Sequence, residues 1–268
     1  MTDHIWRLID TGPLDGASNM AIDEALLLSF NPATSLPVLR FYGWEPPALS
    51  LGRFQNAADT LNLSRCRSAA VPVVRRVTGG GVIYHADELT YSIVCAPRHL
   101  PPAASVKESF RHLTAFLLRC YERLGLAPRY AGDHENSRSG ERTPFCFAGQ
   151  ETYDILIGGK KIGGNAQRRL KETIFQHGSI PLRNRAAEGA GFMRKPPEAI
   201  GEQTLSLGET GSAVDGEKLK PLLRHSFREA MGVTFLEDDL SLQEKESALA
   251  LRGKYGDDCW NLYGEVPG

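Results

Sequence analysis

The sequence predicts an α+β protein, with strands in antiparallel-style runs and helices between them. Three observations carry this. Short β-rich runs follow one another in antiparallel-style groups, helices are inserted between the groups, and the segment 105–124 repeats apolar residues at steps of three and four. The chain has 268 residues, of which 41% are hydrophobic and 24% charged, ordinary values for a globular protein with a sizeable core. One large domain over 1–268 is expected.

The first strand is WRLID, and Ser18 is placed to cap a helix through NMAIDEALLLSF, with Asp23 and Glu24 early in it. LPVLRFYGW (36–44) reads as a strand closed by the loop residues Glu45, Pro46 and Pro47. VPVVRRV (71–77) and LTYSIVCA (89–96) are β-rich and flank a glycine triplet and a short strand, VIYH. Ser105 and Glu108 form a capping-box pattern ahead of Val106, Phe110, Leu113, Leu117, Cys120 and Leu124, and Gly125 fits just past the helix end. Residues 132–145 are polar and rich in turn formers, which predicts a mobile surface loop. YDILI, KKIGG and TIFQHGSIPL read as successive strands, with Gly158-Gly159 as a hairpin turn. Helices are expected at Glu217–Met231, with Pro221 in the first turns, and from Ser241, where Glu244 repeats the capping box.

Charge excludes one class of partner. With 31 basic and 32 acidic residues the net charge is -1, without the basic excess usual for nucleic-acid binders. MTDHIWRLID lacks the basic start and apolar run of a signal peptide, and no apolar stretch reaches the ~18 residues that span a membrane. A cytoplasmic protein is expected. Five cysteines (66, 95, 120, 146 and 259), without CxxC, argue against a disulfide framework or structural zinc. No metal-ligand spacing is present.

Four patterns are candidates for chemistry, and each has a plainer reading. Arg75 and Arg76 precede Thr78 and Gly79-Gly80-Gly81, with His85 beyond. Adjacent arginines hold a phosphate or carboxylate, and glycines admit close backbone approach, but a bare triplet reads more simply as a tight turn. Neither GxxxxGK[ST] nor GxGxxG is present. Lys160 and Lys161 lie between glycine pairs, and strand alternation sends them to opposite faces, yet lysines also mark edge strands. Cys146, between Phe145 and Phe147, is either a buried inert thiol or an accessible one made reactive by nearby cations. His177-Gly178 ends an apolar strand, where a lone histidine is usually structural.

Together the patterns are more specific. NMAIDEA (19–25), RRVTGGGVIYH (75–85), GKKIGGNAQ (159–167) and HGSI (177–180), in this order, resemble the lipoate–protein ligase A and octanoyltransferase family, the biotin/lipoate protein ligase catalytic domain. The resemblance is strong from about Trp6 to Leu182 and continues to KYGDDCWN (254–261). It implies a fold related to biotin–protein ligases and class II synthetases, a mixed, mostly antiparallel sheet with helices packed on it. RRVTGGG would wrap the acyl chain and its activated carboxyl group, and Lys161 would lie beside the acyl carbonyl. His85, Gly164, Ala166, His177 and Gly178 would line the pocket.

Two mechanisms share that scaffold. A ligase activates lipoate with ATP and Mg²⁺ as an acyl-adenylate. A transferase needs no cofactor and takes octanoate from acyl carrier protein as a thioester. Cys146 lies in PFCFAGQETYDI, which looks like the cysteine-bearing segment of the octanoyltransferases whose acyl group rests on cysteine. Either way the acceptor would be a lipoyl domain, of glycine cleavage H protein or a 2-oxoacid dehydrogenase E2 subunit. Many ligases add a C-terminal domain that closes over the adenylate, and the chain ends soon after KYGDDCWN, so none is expected. Gly163-Gly164-Asn165 departs from the family's commoner SGSA-type run. A biotin ligase would show a GRGRxGR loop, and a non-enzymatic lipoyl-binding protein could dispense with Cys146 and Lys161.

Overall fold

The computed structural model describes residues 4–102, 105–133, 152–212 and 214–266. Cys146, Phe145 and Phe147 lie outside them, as does most of the polar segment 132–145.

The N-terminal unit is β1 (Ile5–Leu14), α1 (Gly16–Ser29) and β2 (Val38–Trp44). Because a helix connects them, β1 and β2 run parallel. The helix begins earlier than expected. Asp15, not Ser18, is its cap: Asp15 Oδ1 accepts from the Ser18 amide at 2.9 Å, and Ser18 lies inside the first turn. Asp23 and Glu24 therefore fall past the first turn, where they have other partners.

The chain continues through β3 (Ala48–Leu51), α2 (Ala57–Thr60), α3 (Leu63–Ser68), β4 (Val73–Arg75), β5 (Ile83–His85) and β6 (Glu88–Cys95). Of 71–77 only Val73–Arg75 is strand. Next come α4 (Val106–Arg123), β7 (Pro128–Tyr130), β8 (Ile155–Ile157), β9 (Lys160–Lys161), β10 (Gly164–Leu170) and β11 (Thr173–Pro181). The last elements are α5 (Ala186–Ala190), α6 (Ile200–Gln203), α7 (Gly216–Met231), β12 (Thr234–Glu237), α8 (Leu242–Gly256) and a π-helical turn, Cys259–Tyr263. The caps at Ser105 and Ser241 are both present, and Gly125 has φ +77 just past α4. Gly158 and Gly159, at φ +58 and +82, make the hairpin turn between β8 and β9.

A six-stranded sheet in the order β10-β11-β6-β2-β1-β12 is the frame. It is antiparallel from β10 to β2 and parallel across β2, β1 and β12. One face packs on α4 and α7 through Leu39, Phe41, Tyr91, Ile93, Phe116, Leu117 and Phe227. The other packs on α1 and α8 through Ile9, Met20, Leu26, Tyr42, Val94 and Phe175. Two three-stranded sheets, β4-β3-β5 and β7-β8-β9, complete the fold. Among the described residues no helix is long and apolar enough to cross a membrane.

Register on the α1 face positions the site. Side chains on one face of a sheet fall into transverse rows. The first row here is Val38–Val94–Phe175, wholly apolar. The next is Arg40–Ser92–His177, and the next Tyr42–Thr90–Ser179. Within four residues of each strand the face changes from hydrocarbon to buried polar groups, and the four sequence motifs gather there.

Candidate active site

Asp23 projects from α1 over the first polar row. It is 1% exposed and accepts from Arg40 Nη1, Tyr42 Oη and Ser92 Oγ, each at 2.8 Å. His177 Nδ1 is 3.7 Å from Asp23 Oδ2, an electrostatic contact too long for a hydrogen bond. Burial alone would raise the Asp23 carboxyl, but His177, Arg40 and Ser92 hold it below its usual value. Burial pushes the His177 imidazole down despite Asp23. His177 Nε2 meets Thr78 Oγ1 at 2.7 Å, which joins HGSI to RRVTGGG.

A second carboxylate serves the next row. Glu88 Oε1 is 2.7 Å from His85 Nδ1 and accepts from Thr90 Oγ1 at 2.6 Å; Oε2 accepts from Ser179 Oγ at 2.5 Å. Burial would raise Glu88, but His85 and these hydrogen bonds hold it below the usual carboxylate range. His85 stacks on Trp44 with centroids 3.8 Å apart, and its Nε2 is 2.8 Å from Ser50 Oγ. At 4% exposure it does not line an open pocket, a correction to the expectation. Both of its ring nitrogens face protein, so it supports from beneath.

The two arginines are each 1% exposed, and among the described residues they donate chiefly to main-chain carbonyls. Arg75 donates to the carbonyls of Gly52, Arg53, Gln55, Trp260 and Leu262. Trp260 Nε1 returns a bond to the Arg75 carbonyl at 2.9 Å, and Asn261 Oδ1 accepts from the Arg75 amide at 3.0 Å. KYGDDCWN thus belongs to the site's framework. Arg76 Nη1 donates to the Ser50 carbonyl and hydroxyl, and Nη2 to the carbonyls of Gly79 and Gly81 at 2.8 and 2.7 Å. The pair shapes the glycine turn from behind.

In that turn Gly80 is exposed at φ +95, and a Cβ on Gly79 would meet open space. Gly52 packs so closely that a Cβ there would lie 2.0 Å from the Gly80 carbonyl oxygen.

The lysine strand joins from the other side. Lys160 is exposed, whereas Lys161 is 3% exposed with its Nζ 2.7 Å from Asp154 Oδ2. Alternation along β9 separates them, as expected. β9 then stops, because Gly163 has φ +78 and a Cβ there would lie 2.1 Å from the Ser179 carbonyl oxygen. Gly164 pairs with Ser179, Asn165 with Gly178 and Ala166 with His177. Gly178 is required by crowding: a Cβ would lie 2.1 Å from Asn165 Oδ1 and 2.6 Å from the Tyr91 ring. Tyr91 Oη donates to Asn165 Oδ1 at 2.7 Å, and Arg168 Nη1 to the Val77 carbonyl at 3.1 Å. The four motifs therefore form one constellation. Asp154, Glu88, Ser50 and Tyr91 belong to it and were missed in the sequence; only the interval of three between His85 and Glu88 could have hinted at a partner.

A groove of about 790 Å³ lies elsewhere, lined by Asp10, Lys220, Arg224 and Asp238, and no motif residue lines it. Size does not locate the chemistry here.

The described cysteines share one property. Burial pushes the thiols of Cys66, Cys95 and Cys120 up, the last to about 12. Cys66 is buried, although its sequence context is polar. Cys259 is exposed, but a hydrogen bond with Asp257 raises it too. None favours the thiolate.

Residues 15–228 match the lipoyl protein ligase A/B catalytic domain. The chain belongs to that family. Across 96% of its length it is 34% identical to Octanoyltransferase LipM of Kyrpidia tusciae, 98% of which is covered. Octanoyltransferase LipM of Symbiobacterium thermophilum is 35% identical with the same coverage, 96% and 98%. A crystal structure of lipoate-protein ligase A bound with ATP superposes with a TM-score of 0.81 at 25% identity, over 96% of this chain and 98% of that one. The α+β frame expected from the motifs is thus that of the lipoyl protein ligase A/B fold.

Proposed function

We propose that this chain is an octanoyltransferase: it takes an octanoyl group from acyl carrier protein onto Cys146 as a thioester and passes it to a lysine of a lipoyl domain. The observation that carries the reading is near-full-length likeness to proteins named octanoyltransferase, closer in identity than to the ligase structure. The raised thiols of Cys66, Cys95, Cys120 and Cys259 support Cys146 by elimination.

In the first step the Cys146 thiolate attacks the thioester carbonyl, and the tetrahedral adduct collapses with loss of the carrier thiolate. One thioester replaces another at little net cost in free energy. In the second the acceptor amine attacks, the Cys146 thiolate leaves, and a proton is lost from nitrogen to give the amide, which is downhill. Lys161, buried and held by Asp154, is assigned to the oxygen that becomes negative in both adducts. Gly79 and Gly80, with Gly164, Ala166 and Gly178 opposite, are assigned to the acyl chain. Thr78 and His177 fix the turn, as do Arg75 and Arg76. The acceptor domain belongs to H protein or an E2 subunit, and the reaction uses no cofactor.

The test is incubation with octanoyl-acyl carrier protein, without ATP, followed by intact-mass analysis. One octanoyl adduct should map to Cys146, be removed by neutral hydroxylamine and be absent from Cys146→Ala. The fold shared with an ATP-bound ligase favours a second reading, in which ATP and Mg²⁺ activate free lipoate. Full activity of Cys146→Ala, dependent on ATP and lipoate, would select it.

A further inference from the structure

We propose that Glu88 is a positioning residue for the glycine turn, acting through His85, Ser50 and Arg76. The proposal rests on the acyl-transfer reading of that turn. A guanidinium only donates, so Ser50 Oγ accepts from Arg76 Nη1 at 3.1 Å. At the other end the Glu88 carboxylate only accepts, so His85 Nδ1 carries the proton aimed at Oε1 at 2.7 Å. In the neutral ring Nε2 is then the acceptor, and the Ser50 hydroxyl donates to it at 2.8 Å. Thr90 is constrained in the same way. Its hydroxyl accepts from Trp44 Nε1 at 2.8 Å and donates to Glu88 Oε1 at 2.6 Å, where the carboxylate can only accept. Glu88 thus receives two donors on one oxygen and Ser179 on the other. At the far end Arg76 holds the carbonyls of Gly79 and Gly81. The chain of contacts starts at a buried acceptor on β6 and ends in the turn assigned to the acyl group.

Hydroxyl, imidazole and carboxylate in series is also the order of a serine nucleophile. Ser50 is 0% exposed and sits between Arg76 and His85, so it has no face for a substrate. The role is to hold geometry.

What Glu88 supplies is an oxygen acceptor, and this separates two near-isosteric variants. Glu88→Gln keeps an oxygen for His85 and Thr90, whereas Glu88→Leu keeps the bulk and loses the acceptor. Nitrogen-15 NMR of the histidine rings, without substrate, should show His85 as the Nδ1–H tautomer in the wild type and in Glu88→Gln. In Glu88→Leu the proton should redistribute to Nε2. In transfer assays with octanoyl-acyl carrier protein, Glu88→Gln should stay within about threefold of wild-type KM, and Glu88→Leu should raise KM about tenfold or more, as misplaced binding groups do. If Glu88→Leu does not fold, Ser50→Ala breaks the next link and should raise KM similarly. An Nε2–H tautomer in the wild type, equal loss in Gln and Leu variants, or unchanged KM in the folded chain-breaking variant overturns the proposal. A wild type that transfers no octanoyl group would instead sink the acyl-transfer reading, and the tautomer measurement stands apart from it.

Discussion

Lys160 and Lys161 share a two-residue strand but not an environment. One is exposed, while the other is buried against Asp154. Lys161→Ala should lower octanoyl transfer to an apo lipoyl domain by a factor on the order of a hundred or more, the usual cost of losing an oxyanion donor. Lys160→Ala should change it little. Circular dichroism establishes that both variants fold, and equal activity would remove Lys161 from its assigned role. Asp154 shares the argument: a buried cation without its carboxylate is costly, so Asp154→Ala should lower both activity and the urea unfolding midpoint.

Among the elements, the glycine turn is where shape is most constrained. Gly80→Val should abolish transfer, because a Cβ at φ +95 would lie 2.9 Å from Arg76 Nη2, which already holds two carbonyls. Gly52→Ala should do the same by pushing the Gly80 carbonyl aside. A rate assay on the folded variants decides both, and normal turnover by Gly80→Val would return the triplet to a simple turn. The strands, the amphipathic α4 and the α8 cap were legible, since period and capping chemistry are local. Cross-strand register was not. That Arg40, Ser92 and His177 share a row depends on three strands distant in sequence. The same gap hid the partners of Arg75 and Arg76, because the carbonyls they hold come from 50–55, the turn itself and 260–262. The cap of α1 was misplaced for a simpler reason: Asp15 and Ser18 are both good caps, and their order is settled only by where the chain turns out of β1.

Across the whole molecule, buried ionisable groups set the response to acid. The folded His177 value lies below the ordinary 6.5, so the unfolded chain binds its proton first. Stability from this group is complete above 6.5 and shrinks as pH falls toward the folded value. Asp23 and Glu88, lowered from 3.8 and 4.5, contribute stability above those values that is lost as pH falls through their folded ones. All three act in the same direction. Urea midpoints should fall from pH 7 downward, and His177→Asn should flatten the upper part of that decline. A midpoint unchanged between pH 7 and 4 would contradict the assignment. Arg75→Leu should cost about 3 kcal/mol or more in urea unfolding, since several buried carbonyls lose their donor together.

The bond network between Arg75 and the 260–262 turn also imposes an order of events during synthesis. A ribosome delivers the glycine turn long before Trp260 and Asn261 leave the exit tunnel. Until they do, Arg75 lacks the carbonyls of Trp260 and Leu262 and its amide lacks Asn261, so the nascent chain carries its motifs without the geometry that makes them a site. The glycine turn is thus shaped by residues made about 180 positions after it, and a chain cut short before Trp260 would carry RRVTGGG without the bonds that set its form.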